Sequence, residues 1–345
     1  MSNFLKERKK HKQLEIEENT AYFVYEGKAE TVSVAGDMNG WKPDQHFLKK
    51  IEGTNFWYLP MELERDARLD YKLVIDGKNW IEDPLNSKVT QSGFGNNSTV
   101  QMLDYNGAWE ITPNKNCPKG SLQKEKITSQ FTKKEYDLNI YLPPNYSSEK
   151  KYPTVYFQDG ADYLKLSHAQ TVIENLLHKK LVEPFVGVFI NPTDRNKEYV
   201  LDAKFQYVGF FVKELVPFID EKFSTLKKAN ERVVLGDSYG GSISARISFT
   251  HPEIFGNSGW HSCALWTDDF ELSKKIRAME KQPIRIASVW GKYEESLTDD
   301  MRIVSKALKE KGYDIFSKEY NEGHSWGLWQ TTLDDILIYL IPIKK

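Results

Sequence analysis

A serine flanked by glycines is the strongest chemical signal in the sequence. The motif G-D-S-Y-G at 236–240 follows the apolar run 232–235 and precedes a helical pattern at 242–250. In a G-x-S-x-G motif a strained strand-to-helix turn exposes the serine hydroxyl, and larger flanking residues would clash there. The amide of Tyr239 then lies at a helix N-terminus, where it can donate to an oxyanion. The alternative is a glycine-rich turn with an incidental serine; the flanking elements favour Ser238 as a nucleophile.

A serine hydroxyl needs a base to remove its proton, and His324 is the best placed of the seven histidines. After a turn of this kind the chain order is serine, acid, histidine. The other six histidines precede Ser238 or follow it too closely for another strand to intervene. His324 comes directly after a predicted strand at 314–320, in a loop where ligands meet parallel sheets. A loop histidine that caps the next helix is the alternative.

The acid that orients the imidazole should come from the loop after the predicted strand 284–290. Four carboxylates crowd that loop. Glu294 lies three residues past the glycine that ends the strand, which places it best to reach His324. Glu295 and Asp299 remain open alternatives, because acidic residues also favour the beginning of a helix.

A second oxyanion donor is expected in the loop after the predicted strand 154–157. That loop contains Gly160, where the backbone can turn, followed by Ala161. We expect the amide of Ala161 or of Gly160 to point at the substrate.

From residue 121 onward, apolar strands alternate with helical segments, which predicts a mostly parallel sheet covered on both faces. The predicted strands are 122–129, 135–141, 154–157, 185–191, 232–235, 284–290 and 314–320, and the predicted helices are 170–180, 207–223, 242–250, 298–311 and 327–340.

The earlier part of the chain has a different pattern. Short runs rich in β-branched and aromatic residues, at 22–25, 31–35, 57–61 and 69–75, are separated by turn signals. This spacing predicts an immunoglobulin-like β-sandwich. The expected organisation is a basic segment at 1–18, the sandwich at 19–104, a linker at 105–120 and the α/β domain at 121–345.

Composition limits the class of protein. The 47 Lys and Arg residues balance 49 Asp and Glu, which argues against a nucleic-acid binder. Cys117 and Cys263 lie too far apart to indicate a disulfide framework or a metal cluster. The basic N-terminal cluster is not followed by an apolar segment of signal-peptide length, and other apolar runs are too short to span a bilayer. We expect a cytoplasmic protein with no metal, organic cofactor, membrane or nucleic-acid partner.

Further motifs follow one another along the α/β part: D-G at 159–160, D-R-N-K-E-Y at 194–199, E-L-V-P at 214–217, H-P-E-I-F-G at 251–256 and G-H-S-W at 323–326. With the G-D-S-Y-G-G turn, this series over residues 120–343 resembles the esterase D family of α/β-hydrolases. The resemblance is strongest to its enterochelin (trilactone siderophore) esterase-like branch. It implies a Ser-His-Asp/Glu hydrolase, which fits Ser238, His324 and Glu294.

The same resemblance suggests where a substrate binds. The guanidinium of Arg195 offers forked hydrogen bonds to an anionic or catecholate group, although an ion pair with Glu198 is an equal alternative. Asp237 stands where this branch often has glutamine, and the G-W-H-S-C sequence at 259–263 departs from its usual S-Q-S-G-S. The substrate-binding candidates are Arg195, Glu198, His261, Asp159 and Trp326.

The N-terminal part is similar to the early-set sandwiches that precede enterochelin esterases and to glycogen-binding CBM48 modules. The segment V-A-G-D-M-N-G-W at 34–41 and D-P-L-N at 83–86 carry this similarity. Trp41, Trp57 and Trp80 are therefore candidates for stacking on sugars, with a place in the sandwich core or at a domain contact as the favoured alternative.

These observations predict a serine carboxylic-ester hydrolase that works through an acyl-enzyme on a small-molecule ester. A ferric siderophore and an acylated (feruloyl or acetyl) sugar are both open as the substrate. A non-catalytic carbohydrate-binding protein on an esterase fold is the alternative of a different class.

Overall fold

The structure, a computed structural model, describes residues 11–93, 95–202, 204–267 and 271–344. It divides into two compact units. The first contains the described residues up to Gly107, together with Gly291–Glu295 and Glu319–Leu328. The second contains Ala108–Trp290, Ser296–Lys318 and the described residues from Trp329 onward. Of the predicted basic cluster at 6–12, residues 6–10 lie outside the described residues.

The first unit is rich in β-structure. Its described strands form two antiparallel sheets, with the orders β1-β2-β6-β5 and β4-β3-β7-β10-β9, and β8 pairs with β7. The strands are β1 (Glu15–Glu17), β2 (Thr20–Glu26), β3 (Val32–Gly36), β4 (His46–Phe47), β5 (Lys49–Lys50), β6 (Phe56–Glu62), β7 (Arg68–Ile75), β8 (Asn79–Ile81), β9 (Val89–Ser92) and β10 (Gly95–Gln101). The four strands predicted here are confirmed as β2, β3, β6 and β7.

One apolar cluster joins the two sheets of this unit. Phe23 from β2 meets Tyr71 from β7 edge to face, with 4.8 Å between ring centroids. Leu69 and Leu73 on the same face of β7 are also fully buried in the cluster. Alternate residues of a strand point to the same face, which explains why this spacing fills the core. Trp57 also lies in the cluster, so this side chain takes the core role rather than an exposed sugar-binding one.

The second unit is built on an eight-stranded sheet with the order β11-β12-β14-β13-β15-β16-β17-β18. The first strands pair antiparallel, and β14, β13, β15, β16 and β17 pair in parallel. The strands are β11 (Ser121–Thr128), β12 (Glu135–Leu142), β13 (Thr154–Phe157), β14 (Val186–Ile190), β15 (Arg232–Asp237), β16 (Asn257–His261), β17 (Arg285–Gly291) and β18 (Asp314–Tyr320). The prediction of a mostly parallel sheet is confirmed.

Helices alternate with these strands. They are α1 (Gly160–Lys165), α2 (Ala169–His178), α3 (Arg195–Tyr199), α4 (Gln206–Phe210), α5 (Val216–Lys222), α6 (Tyr239–Thr250), α7 (Glu271–Ala278), α8 (Ser296–Glu310), α9 (Trp326–Thr331) and α10 (Leu333–Leu340). No helix in the described ranges combines the length and apolarity that a membrane span requires.

Two predicted helices differ in detail from the observed ones. The predicted helix at 207–223 is interrupted by a π-helical turn, Phe211–Leu215, before Pro217. Proline has no N–H to donate, and an i→i+5 turn is one way for a helix to absorb such a break. The predicted helix at 327–340 is two helices, because Thr332 leaves helical geometry with φ −129° and ψ 5°.

Candidate active site

Ser238 occupies the turn between β15 and α6. Its φ of 51° and ψ of −113° are costly for a residue with a side chain, by about 1–3 kcal/mol. Close packing explains the two glycines: a Cβ on Gly236 would come within 2.5 Å of the Gly240 carbonyl group, and one on Gly240 would lie 2.8 Å from the Asp159 carboxyl. The Ser238 amide donates to the His261 carbonyl at 2.8 Å. Tyr239 begins the helix, as the sequence predicts.

The predicted oxyanion loop lies between β13 and α1. Gly160 is fitted against β14, since a Cβ there would lie 2.5 Å from the Ile190 nitrogen. The amide of Ala161 donates to Asn191 Oδ1 at 2.8 Å. The structure therefore gives the Ala161 amide a protein acceptor, and it adds Asn191, which the sequence analysis did not identify.

Arg195 is bound to two buried carboxylates beside the serine turn. Its Nε and Nη2 donate to Asp159 at 2.8–3.0 Å, and Nη2 also donates to the Asp237 carbonyl at 3.1 Å. Its guanidinium carbon lies 5.3 Å from the Tyr239 ring centroid. Burial, followed by the charge of Asp159, raises the pKa of Asp237 well above its usual range. The guanidinium of Arg195, which pairs with both carboxyls, offsets their repulsion.

Glu198 does not form the ion pair with Arg195 that was left open as an alternative. Its Oε1 accepts from Lys134 Nζ at 2.7 Å and from Thr193 Oγ1 at 2.6 Å. The buried carboxylate instead secures the loop before α3. The structure thus places Arg195 and Glu198 in different hydrogen-bond networks.

His261 is fully buried at the end of β16. Its Nδ1 lies 2.7 Å from the hydroxyl of Tyr163, which is also fully buried. Burial lowers the pKa of His261 to about 3, so the imidazole is neutral at physiological pH. In this structure the side chain supports the sheet beneath the serine turn; it does not face a substrate in solvent, as the substrate-binding prediction requires.

In the first unit, His324 lies next to Glu294. The distance from His324 Nδ1 to Glu294 Oε2 is 3.5 Å, and Glu294 Oε1 accepts the Gly291 amide at 3.0 Å. The side chain of Glu294 is 1% exposed, whereas those of Glu295 and Asp299 are 58% and 75% exposed. Lys42 pairs with Glu295. Of the three candidate acids, Glu294 is the one the structure brings to an imidazole.

The remaining aromatic candidates have separate places in the first unit. Trp326 is buried at the beginning of α9. Trp41 donates from Nε1 to Asp37 Oδ1 at 3.0 Å, while Trp80 is partly exposed on β8. Within the described ranges, no three His, Cys, Asp or Glu side chains are grouped so that they could hold a metal ion.

A buried cluster of charges in the first unit was missed by the sequence analysis. Arg68 Nη2 donates to Asp70 Oδ1 at 2.8 Å, and Arg68 Nη1 lies 3.4 Å from Glu322 Oε2. Asp37 accepts the Asp70 amide at 2.7 Å. Burial, with repulsion from Asp70, raises the pKa of Asp37 to about 8, and burial raises the pKa of Glu322 to about 7. The sequence offered one signal, the polar turn at 36–40 that contains Asp37.

Comparison with known proteins finds relatives among uncharacterized bacterial proteins and among enterobactin esterases. The uncharacterized protein YjcH of Bacillus subtilis is 28% identical over 233 residues, which are 63% of this chain and 96% of the relative. The iron(III) enterobactin esterase of Escherichia coli K12 is 23% identical over 328 residues, 85% of this chain and 81% of the relative.

Solved structures share the fold. The ferric enterobactin esterase of Salmonella typhimurium superposes with a TM-score of 0.83 at 18% identity, covering 99% of this chain and 98% of that one. A ferulic acid esterase of Anaeromyces mucronatus, solved with ferulic acid, gives a TM-score of 0.55 at 17% identity and covers 66% of this chain and 93% of that one.

The Esterase family model, described as "Putative esterase", matches residues 129–340. That span contains Ser238, Glu294 and His324 and more than half of the sequence. This protein therefore belongs to the esterase family and is a hydrolase that acts on ester bonds.

Proposed function

We propose that the protein is a serine esterase of the enterochelin esterase type, with Ser238 as the nucleophile. The strained backbone of Ser238 at the strand-to-helix turn carries this proposal. His324 takes the proton from Ser238, whose oxygen attacks the ester carbonyl and forms an acyl-enzyme as the alcohol leaves. Water activated by His324 then releases the acid and frees the serine.

Glu294 holds the imidazole in the tautomer that can accept the serine proton and stabilises the imidazolium that results. The amide of Tyr239 at the beginning of α6, with that of Gly160 or Ala161, donates to the developing oxyanion. Since Asn191 already accepts from Ala161, an oxyanion at that position must displace the Asn191 side chain.

The proposed substrate is a siderophore trilactone whose catecholate groups are anionic when they hold iron. The enterobactin esterases are relatives over most of the chain, which favours this substrate class. Arg195 supports it, because its guanidinium is a third exposed and borders the aromatic ring of Tyr239. Asp159, which pairs with Arg195, is a further proposed substrate-binding residue. Glu198 and Trp326 are proposed for the same role.

A carbohydrate-linked acyl ester is the second candidate, favoured by the fold shared with a ferulic acid esterase. For that substrate the N-terminal strands act as a CBM48-like, immunoglobulin-like sandwich, and partly exposed Trp80 stacks on sugar. In both cases the proposed organisation is the α/β-hydrolase domain from residue 121, after the sandwich and a linker. The proposed location is the cytoplasm, with no membrane or nucleic-acid partner.

A substrate panel tests this proposal. Initial rates are measured on a catecholate trilactone, a feruloyl sugar ester and a short p-nitrophenyl ester, with the parent protein and Ser238→Ala. The variant should lose all turnover and its labelling by a fluorophosphonate probe. Ser148→Ala, an exposed serine on the second unit, is the matched control and should keep both.

Retained turnover in Ser238→Ala contradicts the nucleophile assignment. Failure of the parent protein to label with the probe, together with retention on amylose, supports the non-catalytic alternative. If kcat/KM is higher for the feruloyl sugar than for the trilactone, the acylated sugar is the better-supported substrate and the siderophore proposal fails.

A further inference from the structure

The segment that carries His324 is fixed to the chain's first hundred residues by backbone hydrogen bonds. Within the first unit, the amide of Arg68 donates to the carbonyl of Asn321 at 3.1 Å, and Arg68 and Glu322 form a parallel β-bridge. The amide of Tyr293 donates to the carbonyl of Glu322 at 3.0 Å. Glu322 is therefore held from both sides, two residues before the histidine.

Two glycines on either side of His324 fit against charged side chains. A Cβ on Gly323 would overlap the carboxyl group of Asp37, and a Cβ on Gly327 would overlap the guanidinium of Arg68. Only a glycine lets the backbone approach these groups so closely. Asp37 and Arg68 thus fix the backbone at Gly323 and Gly327, on either side of His324.

Ion pairs and hydrogen bonds add direction to this packing. Arg68 Nη1 lies 3.4 Å from both Glu322 Oε2 and Ser325 Oγ. Its Nη2 donates to Asp70 and to Thr90. Arg68 is 2% exposed, so the guanidinium is fully desolvated and its planar fork fixes the orientation of its partners.

We propose that Arg68 and Asp37 are positioning residues for ester hydrolysis, which set the backbone on either side of His324 so that its imidazole meets Glu294. This inference rests on the proposed role of His324 as the base. Both residues lie outside the 129–340 span that the family model matches, whereas His324 and Glu294 lie inside it. The N-terminal β-structure thus contributes to the reaction through the histidine loop rather than only through binding.

The expected effect is on kcat. Displacing a catalytic group by about 1 Å can cost about 100-fold in rate. Arg68→Met removes the fork and leaves Glu322 without its buried cation, so kcat for a p-nitrophenyl ester should fall about 100-fold per folded molecule. KM should stay within about threefold, since both residues are buried from solvent.

Arg68→Lys keeps the charge but loses the planar fork. It should still fold, with a free energy of unfolding lowered by about 1–3 kcal/mol because buried partners lose a hydrogen bond, and should lose about tenfold in kcat. The matched control is Arg65→Met, three residues earlier, whose bidentate partner Asp104 is exposed. That control should keep the parental kcat.

The comparison variant His324→Ala distinguishes the proposed base from the proposed positioning residues. If His324→Ala retains the parental rate, the proposed function fails. If His324→Ala is inactive while folded Arg68→Met keeps kcat within threefold of the parent, only the positioning role is overturned. If Arg68→Met does not fold, a parental kcat in Arg68→Lys overturns it equally.

Discussion

Replacing Glu294 with glutamine isolates the role of one carboxylate among several. The amide keeps the size of the side chain and one oxygen that can accept the Gly291 amide. It removes the negative charge 3.5 Å from His324 Nδ1. The change therefore tests charge and tautomer and leaves the loop's packing nearly intact.

The separation of the charges sets the magnitude. At an effective dielectric constant of about 20, unit charges at that distance attract by about 5 kcal/mol. Water reaches the imidazole, which is 39% exposed, so about half of this attraction stabilises the imidazolium in the transition state. At about 1.4 kcal/mol per tenfold in rate, kcat should fall about 100-fold.

The assay is steady-state hydrolysis of a p-nitrophenyl ester by Glu294→Gln, Glu295→Gln and Asp299→Asn. The last two replace exposed carboxylates that pair with Lys42 and Arg302, and each should keep kcat within twofold. A parental kcat in Glu294→Gln, or a larger loss in either of the others, refutes the assignment of the acid.

Three further changes test the buried groups. Because the folded-state pKa values of Asp37 and Glu322 are raised to about 8 and 7, the folded protein binds more protons than the unfolded chain, so stability must fall as pH rises through that window. Urea unfolding should give a free energy of unfolding about 1–3 kcal/mol lower at pH 9 than at pH 6, and an equal or higher free energy at pH 9 contradicts this. Gly160→Ala places a methyl group against the backbone of β14, so the free energy of unfolding should drop by about 1–3 kcal/mol, and a parental urea midpoint shows that the loop can yield. Tyr163→Phe removes the hydroxyl bound to His261, which should lower the free energy of unfolding by about 1–3 kcal/mol; an unchanged midpoint means that another group satisfies the imidazole.

The local sequence pattern was sufficient to predict a strand where the buried residues are apolar. Strands such as β7 and β15 are rich in β-branched, aromatic and other apolar residues, and their bounds were predicted to within a few residues. Strand β16 was missed because its sequence, N-S-G-W-H, is mostly polar. Its hydrogen-bond partners on both sides make it a strand, and polar side chains such as Asn257 find buried partners there.

The candidate site, too, was predictable only in part from local sequence. Ser238 and His324 were predicted from motif and chain order, which are properties of neighbouring residues. The sequence favoured Glu294 from its place in the loop but left Glu295 and Asp299 open, since neighbouring carboxylates differ mainly in the direction that the folded loop gives them. Arg68 could not be linked to Glu322 because 254 positions separate them and each is locally an ordinary charged residue.

That separation has a consequence for biosynthesis. The ribosome makes Arg68, Asp70 and Asp37 more than 250 residues before the glutamate and the glycines that complete their surroundings. Domains that fold in order of synthesis need their contacts within one emerging stretch. Here the nascent β-structure cannot complete its buried charge cluster until a segment more than 250 residues further along the chain has been made.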